Sequence, residues 1–426
     1  MDELGFAEIQ TPILANSSPE GARDYLVPSR LNPGEFYALP QAPQQFKQLL
    51  MVAGFDKYFQ IAPCFRDEDA RADRAPGEFY QLDMEMSYAT QEDVFNVIEP
   101  VIYNTFKEFS DKAISNTPFT RIAYKEAMVK YGTDKPDLRN PLYIIDLSDF
   151  FNKCTFKPFI NRTVRAIKVK GHMSKGFHEK MLKYATSIGM GGLGYLEVQE
   201  DLSYKGPIDK FIPDDMKMEL AEMAGLQEGD TIFFIAAPEK AACIYAGQIR
   251  NELGSRLDLL EKDAYRFCYI NDFPMYEIDE ETGKLGFTHN PFSMPQGGLE
   301  ALNEKDPLDI LAYQYDIVCN GVELSSGAVR NHDMEIMEKA FDIAGYDKET
   351  LKDKFGALYN AFQFGAPPHA GMAPGVDRMI MLLRNEENIR EIIAFPMSGT
   401  AQDLMCGAPN EITEQQLREV HIKVRD

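Results

Sequence analysis

An arginine that faces a row of polar side chains is the residue of this chain whose surroundings first indicate a binding site for an anion. Over residues 80–88 the odd positions are polar and the even positions are apolar, and the polar ones are Gln81, Asp83, Glu85 and Ser87. A period of two puts each set on its own face of a β-strand. The same alternation over residues 58–66 puts Arg66 on the face opposite the apolar one. If these strands pair antiparallel, Arg66 lies beside the polar row, where its planar guanidinium can bind phosphate or carboxylate through two hydrogen bonds. A solvated edge face is the alternative explanation of the polar row.

Two acidic residues further along could hold a metal ion. The dipeptide Asn320-Gly321 lies between two strand-like runs and is the strongest short signal for a β-hairpin. A two-residue turn there would place Asp316 and Glu323 on one face as diagonal neighbours. Two such carboxylates suit a divalent cation with oxygen ligands, such as Mg²⁺. The hairpin alone allows two solvated acids equally well.

Arg378 is a third candidate for anion binding. A Gly- and Pro-rich stretch at residues 370–375 runs into an apolar segment that ends near residue 383. The pattern predicts a strand end or loop that enters a helix, with Arg378 in the first turn. A buried arginine at such a junction needs an anionic partner, because an unpaired buried charge is costly. A tight strand-to-helix packing junction is the plainer interpretation.

Amphipathic helices and short strands must position these residues. Before residue 140, helices are predicted at 44–52 and 93–109. The section from about 141 to 260 predicts a compact α+β domain with its own core, with strands at 164–169, 194–198 and 231–236 and helices at 175–187, 214–224 and 241–253. Its Gly-rich segment 189–194 follows a helix, whereas a phosphate-binding loop follows a strand, so we interpret it as a helix stop and a turn.

Length, charge and cysteine content limit the class of protein. The 426 residues suggest two or three domains, and no apolar run approaches the roughly 20 residues that cross a bilayer. The first residues lack the features of a signal peptide. Six scattered cysteines without a Cys-x-x-Cys motif support neither a zinc site nor a disulfide framework, so we expect a reducing cytoplasm. The net charge of −23 argues against a broad nucleic-acid surface but allows a local basic groove.

Five segments in order resemble those of bacterial-type aspartyl-tRNA synthetases, which are class II aminoacyl-tRNA synthetases. Residues 65–85 are similar to motif 2, residues 371–383 to motif 3 and residues 5–12 to the end of motif 1. Residues 18–24 and 41–49 are similar to aspartate-specific signatures of the family. The resemblance covers essentially the whole chain, and five ordered motifs make a chance similarity implausible.

The resemblance implies an α+β fold with an antiparallel β-sheet flanked by helices and an inserted α+β domain. Residues 1–140 and 263–426 would form the catalytic domain, and residues 141–262 would form the inserted domain. It also implies a homodimer, with Pro12 of motif 1 at the interface. Members of the family begin with an anticodon-binding barrel and the long helix of motif 1. Because this chain starts within motif 1, we expect a sequence trimmed at its front rather than a natural paralogue.

The implied reaction has two steps. Aspartate attacks the α-phosphate of ATP, which gives aspartyl-adenylate and pyrophosphate, and the aspartyl group then passes to the 3′-terminal adenosine of tRNA. ATP, L-aspartate, Mg²⁺ and tRNA are thus the implied ligands. One alternative is a relaxed-specificity enzyme that charges both tRNA-Asp and tRNA-Asn. Another is a paralogue without a tRNA role.

Roles carry over from the family to matching positions of this chain. The implied catalytic residues are Arg66, Glu323 and Arg378. Aspartate would be held by Glu20, Gln44, Lys47, Arg66, Asp83, His289 and Arg330. Of these, Glu20, Gln44 and Asp83 lie where the family binds the α-amino group. ATP would be held by Arg66, Asp67, Glu68, Phe79, Glu323, Gly375, Val376, Asp377 and Arg378. Mg²⁺ would be held by Asp316 and Glu323.

The positive charge around the side chain of the substrate would then determine which amino acid the site accepts. Lys47 and Arg330 around the side-chain carboxylate would leave the amide of asparagine with its two donors facing donors. Glutamate would be one methylene too long. Because Glu323 and Arg330 are seven positions apart, a flat strand would turn them to opposite faces, so we predict a bulge or bend near residues 325–327.

Overall fold

The computed structural model describes residues 1–17, 22–74, 76–154, 156–279 and 282–425. The strands among these residues are β1 (Ala7–Glu8), β2 (Leu26–Pro28), β3 (Phe36–Ala38), β4 (Lys57–Arg66), β5 (Gly77–Ser87), β6 (Ala113–Ile114), β7 (Thr120–Ala123), β8 (Ile144–Asp146), β9 (Thr163–Lys170), β10 (Gly194–Val198), β11 (Tyr204–Lys205), β12 (Asp230–Ala237), β13 (Ala264–Tyr265), β14 (Phe267–Pro274), β15 (Tyr276–Ile278), β16 (Leu285–Phe287), β17 (Leu311–Cys319), β18 (Val322–Val329) and β19 (His369–Met372).

The α-helices are α1 (Gln44–Val52), α2 (Gln91–Phe109), α3 (Tyr124–Tyr131), α4 (Ser148–Asn152), α5 (Lys175–Ser187), α6 (Lys217–Ala224), α7 (Glu239–Arg256), α8 (Gly298–Glu304), α9 (Met334–Ile343), α10 (Lys348–Phe362), α11 (Val376–Arg384) and α12 (Glu414–Glu419). Short 3₁₀ turns lie at Asp2–Leu4, Asp209–Phe211, Asp214–Met216, Pro307–Asp309 and Ile389–Ile392. No helix among the described residues is both long and apolar enough to cross a membrane.

Most of the predicted elements are confirmed. Helices α1 and α5 and strand β10 have the predicted bounds, and β9, β12 and α7 are each longer than predicted by a few residues. The helix predicted at 214–224 is divided into a 3₁₀ turn and α6. Helix α2 begins two residues earlier than predicted, because Thr90 and Asp93 form a reciprocal capping box at its start.

The chain divides into two compact units. The first contains residues 1–119, 271–317 and 322–426, and the second contains residues 120–270 and 318–321. The range 141–262, predicted as an inserted domain, lies within the second unit, which begins earlier and ends later than that range.

A mixed sheet flanked by helices forms the first unit. Its strands lie in the order β1-β4-β5-β19-β18-β17-β14. The pairs β4–β5, β5–β19 and β19–β18 are antiparallel, as predicted, whereas β1 is parallel to β4 at the edge. Helices α1 and α11 both contact β5, and α2 contacts β19. This arrangement is the predicted α+β class, with one parallel pair as the correction.

The apolar row of β5 is buried in the middle of the strand and exposed at its two ends. Leu82, Met84 and Met86 are 9%, 0% and 7% exposed, as expected for a core face. Tyr80 and Tyr88, which the alternation also assigns to that face, are 41% and 75% exposed. Tyr80 lies beyond the segment paired with β19, and Tyr88 has left the strand with a positive φ of 55°. The prediction of a fully buried apolar face is therefore wrong at its two ends.

The turn between β17 and β18 is the predicted one. Asn320 and Gly321 have φ values of 53° and 84°, the left-handed pair that a type I′ hairpin turn requires. Asparagine and glycine tolerate this conformation better than other residues.

A sheet covered on both faces forms the second unit. Its strands lie in the order β11-β10-β12-β9-β8, and each neighbouring pair is antiparallel. One face packs with α4 and α6 in one buried cluster, and the other packs with α5 and α7 in a second cluster. Strands β9 and β12 are therefore apolar on both faces, and the second unit has two buried clusters of its own.

Candidate active site

A cleft of about 700 Å³ opens in the first unit. Charged residues from four elements and from the segment after β18 line it, namely Lys47 of α1, Arg66 of β4, Asp83 of β5, Arg378 of α11 and Arg330. The sequence spreads these residues over more than 300 positions, and the sheet brings them to one place.

The pairing of β4 with β5 sets Arg66 on the polar row. Arg66 lies opposite Gly77 in the antiparallel register, and Gln60 lies opposite Asp83. Arg66 and Asp83 therefore share one face of the sheet, as predicted. The guanidinium of Arg66 lies 5.1 Å from the centre of the Phe79 ring, and its Nε donates to the carbonyl of Gln41 at 3.3 Å. These contacts hold the guanidinium against the aromatic face.

Four buried charges form the floor of the cleft, three of them at its surface and Glu85 directly beneath them. The Nζ of Lys47 lies 2.8 Å from the carboxylate of Asp83 and 3.4 Å from that of Glu85. Arg330 donates from Nε and Nη2 to the two oxygens of Glu85, at 2.8 and 3.1 Å. All four side chains are at most 3% exposed. The polar row is therefore not a solvated edge at these positions, because both carboxylates are covered and paired with cations.

The two carboxylates of this floor differ electrostatically. Burial raises the pKa of Asp83, although Lys47 opposes that rise. Burial acts in the same direction on Glu85, but Arg330 and Lys47 outweigh it and lower the pKa of Glu85. Glu85 is thus the firmly ionised anchor for both cations, and Asp83 is the more weakly compensated acid of the pair.

Arg378 has the anionic partners that its position requires. Its Nη1 donates to the carbonyl of Glu323 at 2.7 Å, and its Nε donates to the carbonyl of Asp73 at 3.2 Å. The carboxylates of Asp73 and Glu323 lie 3.5 and 3.7 Å from its guanidinium nitrogens. Arg378 is about a quarter exposed, so it also faces the cleft.

The start of α11 is tied to two strands, which fixes Arg378. The amide of Gly375 donates to the carbonyl of Leu324 at 2.8 Å. The carboxylate of Asp377 accepts from the amide of Tyr80 at 2.8 Å. Gly375 and Asp377 line the cleft, whereas Val376 is not among the lining residues. Val376 therefore occupies the first helical position without facing the cleft.

The remaining predicted residues divide into those that line the cleft and those that do not. Gln44, Glu68, Phe79, His289 and Glu323 line it. Glu68 is paired with Arg74 at 2.8 Å, and the His289 ring packs edge-on against Phe273 with 5.1 Å between ring centres.

Two further predicted residues, Asp67 and Asp316, do not line the cleft. Asp67 is absent from the lining and lies 3.6 Å from the exposed Arg23. Asp316 is 3% exposed and does not line the cleft, so the surface of the cleft shows only Glu323 of the predicted metal pair. Glu20 lies outside the described residues. No group of three or more His, Cys, Asp or Glu residues within the described ranges is placed to hold a metal by itself.

The predicted bulge near residues 325–327 is not seen on the side of β18 that faces β19. Gly327 pairs with Met372, and the ladder continues with the amides of Ala373 and Gly375 donating to the carbonyls of Ser326 and Leu324. This spacing is regular. Glu323 and Arg330 nevertheless both line the cleft.

The prediction from sequence missed several residues of the site. Glu85 anchors both buried cations, and its alternation with Asp83 was the signal that could have identified it. Asp73 pairs with Arg378, but nothing in its sequence context indicates this. Gln48 and His369 are fully buried below the floor, with 3.0 Å between the amide nitrogen and the ring Nε2.

Comparisons with known proteins identify the family of this chain. A family model described as tRNA synthetases class II (D, K and N) matches residues 1–399. The "Aspartate--tRNA(Asp/Asn) ligase" of Rickettsia bellii (strain OSU 85-389) is 57% identical over 433 aligned positions, which cover 99% of this chain and 72% of that protein. The protein of the same name from Ehrlichia canis (strain Jake) is 56% identical, and the alignment covers 100% of this chain and 73% of that protein. Among solved structures, an aspartyl tRNA synthetase from Entamoeba histolytica aligns with a TM-score of 0.46 and 20% identity, over 93% of this chain and 54% of that chain. The family match and the two ligases show that this chain belongs to the class II tRNA synthetases of the D, K and N group.

Proposed function

We propose that this chain activates L-aspartate with ATP to aspartyl-adenylate and transfers the aspartyl group to the 3′ end of a tRNA. The observation that carries the proposal is the buried floor of the cleft. It places two cations, Lys47 and Arg330, within reach of a ligand that also meets Arg66. A small amino acid with two carboxylates matches three cations arranged in this way.

The floor favours aspartate over the other amino acids of its family group. The ammonium of a lysine substrate would meet Lys47 and Arg330, and like charges in a buried site repel strongly. The amide of asparagine would turn its donors toward those same donors. Only a carboxylate offers acceptors alone. The two ligases compared above are named for aspartate, which supports the same choice.

Activation needs positioning more than acid–base chemistry. The attacking carboxylate of aspartate is already ionised at neutral pH. Arg66 would bridge this carboxylate and the α-phosphate of ATP and would stabilise the charge that develops there. Phe79 would stack on one side of the adenine ring, with Arg378 on the other side and near the γ-phosphate. Glu68 would accept from the adenine amino group.

Glu323 would be one ligand of a magnesium ion, and the phosphates of the bound nucleotide would be others. Mg²⁺ is usually held by one or two carboxylates together with substrate phosphates and water, so a complete protein cage is not required. Glu323 lines the cleft beside Arg378 and suits this role, whereas Asp316 would support it from below the surface. When bound, the metal would supply charge neutralisation at the phosphates.

A second candidate function is the charging of both tRNA-Asp and tRNA-Asn with aspartate. The names of the relatives from Rickettsia bellii and Ehrlichia canis favour it. Charging of separate tRNA-Asp and tRNA-Asn transcripts with radioactive aspartate distinguishes the two. A product with tRNA-Asp alone supports strict specificity, and a product with neither supports a paralogue without a tRNA role.

The exchange of pyrophosphate into ATP tests the amino acid directly. We expect exchange that depends on aspartate and is far weaker with asparagine, lysine or glutamate. Equal exchange with asparagine, or none with aspartate, would overturn the proposal. Omission of Mg²⁺ should abolish the exchange. We propose in addition that the enzyme is cytoplasmic, since its six cysteines are all free thiols. We also propose that it works as a homodimer, as the family resemblance implies.

A further inference from the structure

A chain of hydrogen bonds runs from below the cleft to its wall. The His369 ring has Nδ1 2.8 Å from the carbonyl of Pro367 and Nε2 3.0 Å from the side-chain nitrogen of Gln48. The side-chain oxygen of Gln48 accepts from the side-chain nitrogen of Gln44 at 3.0 Å. Gln44 lines the cleft, and the residues beneath it are closed off from solvent, since Gln48 and His369 are 0% exposed.

The fixed end of this chain determines the direction of every bond in it. The carbonyl of Pro367 can only accept, so Nδ1 of His369 must carry the proton. A neutral imidazole has one donor and one acceptor, so Nε2 is the acceptor and Gln48 must present its NH₂ group to it. The oxygen of Gln48 then faces Gln44, which must likewise present its NH₂ group.

The ring is neutral under ordinary conditions. Burial lowers the pKa of His369 to about 4. The neighbouring Glu85 and the hydrogen bond to the carbonyl of Pro367 oppose that shift in the pKa, whereas Arg330 and His332 add to it. A protonated ring would have two donors and would turn Gln48 around, but that state is not populated near neutral pH.

We propose that His369 is a positioning residue for the α-ammonium group of the substrate, acting through Gln48 to hold Gln44 with its side-chain oxygen toward the cleft. An amide can present either its oxygen or its nitrogen, and only the oxygen attracts a cation. Helix α1 supports this arrangement because Gln44 and Gln48 are four residues apart and lie on one face. This inference rests on the proposed use of aspartate as the substrate.

Two substitutions of one side chain give a matched test. The amide of glutamine reaches the place of Nε2 in histidine, whereas the amide of asparagine reaches only the place of Nδ1. His369→Gln can therefore still accept from Gln48, and His369→Asn cannot. In aspartate-dependent pyrophosphate exchange we expect His369→Asn to raise the KM for aspartate about 10-fold or more, as for loss of a hydrogen bond to a charged group, and His369→Gln to stay close to the parent. His421→Asn is the control, because it makes the same histidine-to-asparagine substitution at an exposed residue. His421 has a positive φ, which asparagine tolerates.

Succinate separates this role from general damage to the site. It keeps both carboxylates of aspartate but has no ammonium group. We expect the inhibition constant of succinate and the KM for ATP to change less than about twofold in His369→Asn, since neither ligand uses the oriented amide. Equal weakening of succinate and aspartate would mean that His369 only supports the fold, and the inference would be wrong.

A double substitution tests whether His369 acts through Gln44. A substitution of Gln48 provides a second test in case the His369→Asn variant does not fold. If His369 acts through Gln44, then His369→Asn should cause no further loss in a Gln44→Met background. An additive loss contradicts the inference. Gln48→Met should reproduce the selective loss of aspartate binding even if His369→Asn proves unstable, and an unchanged KM for aspartate in Gln48→Met overturns it. If the parent itself shows no aspartate-dependent exchange, the proposed function fails rather than this inference.

Discussion

At the scale of single residues, the site is a set of buried charges that balance one another before any ligand binds. Lys47 and Arg330 are each held by Glu85, and Lys47 is also held by Asp83. Two positive and two negative side chains leave the floor neutral, which makes burial tolerable. A ligand carboxylate therefore adds to an existing network, and its affinity depends on how firmly the cations are already oriented.

Substitution of Lys47 should affect one substrate selectively. We expect Lys47→Met to raise the KM for aspartate at least about 100-fold, because it removes a charged hydrogen bond and leaves two buried acids with one cation. The KM for ATP should change much less. Steady-state pyrophosphate exchange measures both constants, with Lys175→Met, at a side chain 93% exposed, as the control. Equal effects on the two constants would remove Lys47 from the aspartate site.

Glu85 should make a contribution to stability that disappears in acid. Its pKa is lowered in the folded state, so its ionised form stabilises the fold above the ordinary pKa of glutamate, about 4.3, and this contribution is lost as the pH falls through the lower folded value. We expect Glu85→Gln to reduce the free energy of unfolding by about 3–5 kcal/mol near pH 7, because it leaves Arg330 buried without its carboxylate. The difference from the parent should shrink below about pH 4. Urea unfolding at several pH values measures it, and a difference that is constant down to pH 3 would contradict the assigned pairing.

At the scale of elements, much of the fold follows from local rules, and the site does not. Helix α1, helix α5 and the Asn320-Gly321 turn follow from periodicity and turn chemistry, which the sequence shows directly. The alternation in β5 also predicts which residues share a face. It cannot show which partners meet that face, since Lys47 and Arg330 come from distant segments. The alternation puts both Asp83 and Glu85 on the polar row, but only Asp83 is assigned to the site from the sequence, because its role is implied by the family resemblance.

Strand β19 makes a close approach that only glycine allows. Gly371 is the register partner of Glu85, and a Cβ on Gly371 would overlap the Glu85 carboxylate and the carbonyl of Met84. We expect Gly371→Ala to displace Glu85 from Arg330 and to lower aspartate-dependent exchange by at least about 10-fold, the scale of a lost charged hydrogen bond. Gly356→Ala, in helix α10 with nothing within 4 Å of its Cβ, is the matched control. Its activity should equal that of the parent, and equal activity in both variants would contradict the close approach.

At the scale of the whole molecule, the cleft is balanced in charge although the chain is acidic. The net charge is −23, yet the basic residues Lys47, Arg66, Arg74, Arg330 and Arg378 line the cleft. Five acidic residues line it as well, namely Glu68, Asp73, Asp83, Glu323 and Asp377. Most cations of the cleft are therefore held in pairs with acids, and an anionic ligand has to be bound by individual oriented cations rather than by a broad basic surface.

The proposed homodimer has a candidate surface on the first unit. Strands β2 and β3 pair with each other, and Ala15 bridges to Ala38 at their end. Large apolar side chains are exposed on these strands and the segments beside them, with exposures of 45% to 75%, namely Ile13, Leu14, Leu26, Leu31 and Phe36. Exposed apolar side chains grouped in this way are typical of a protein interface.

Two charges on that surface should separate the subunits. We expect the parent to sediment as a dimer and the double variant Leu26→Asp, Phe36→Asp to sediment as a monomer, because burial of an unpaired carboxylate in an interface costs more than the contact gains. Met218→Asp is the control, since Met218 is 74% exposed on a helix of the second unit and has no place in the proposed interface. Sedimentation equilibrium over a range of protein concentrations gives the masses. A parent that is monomeric at all concentrations would refute the dimer, and a double variant that remains dimeric would place the interface elsewhere on the chain.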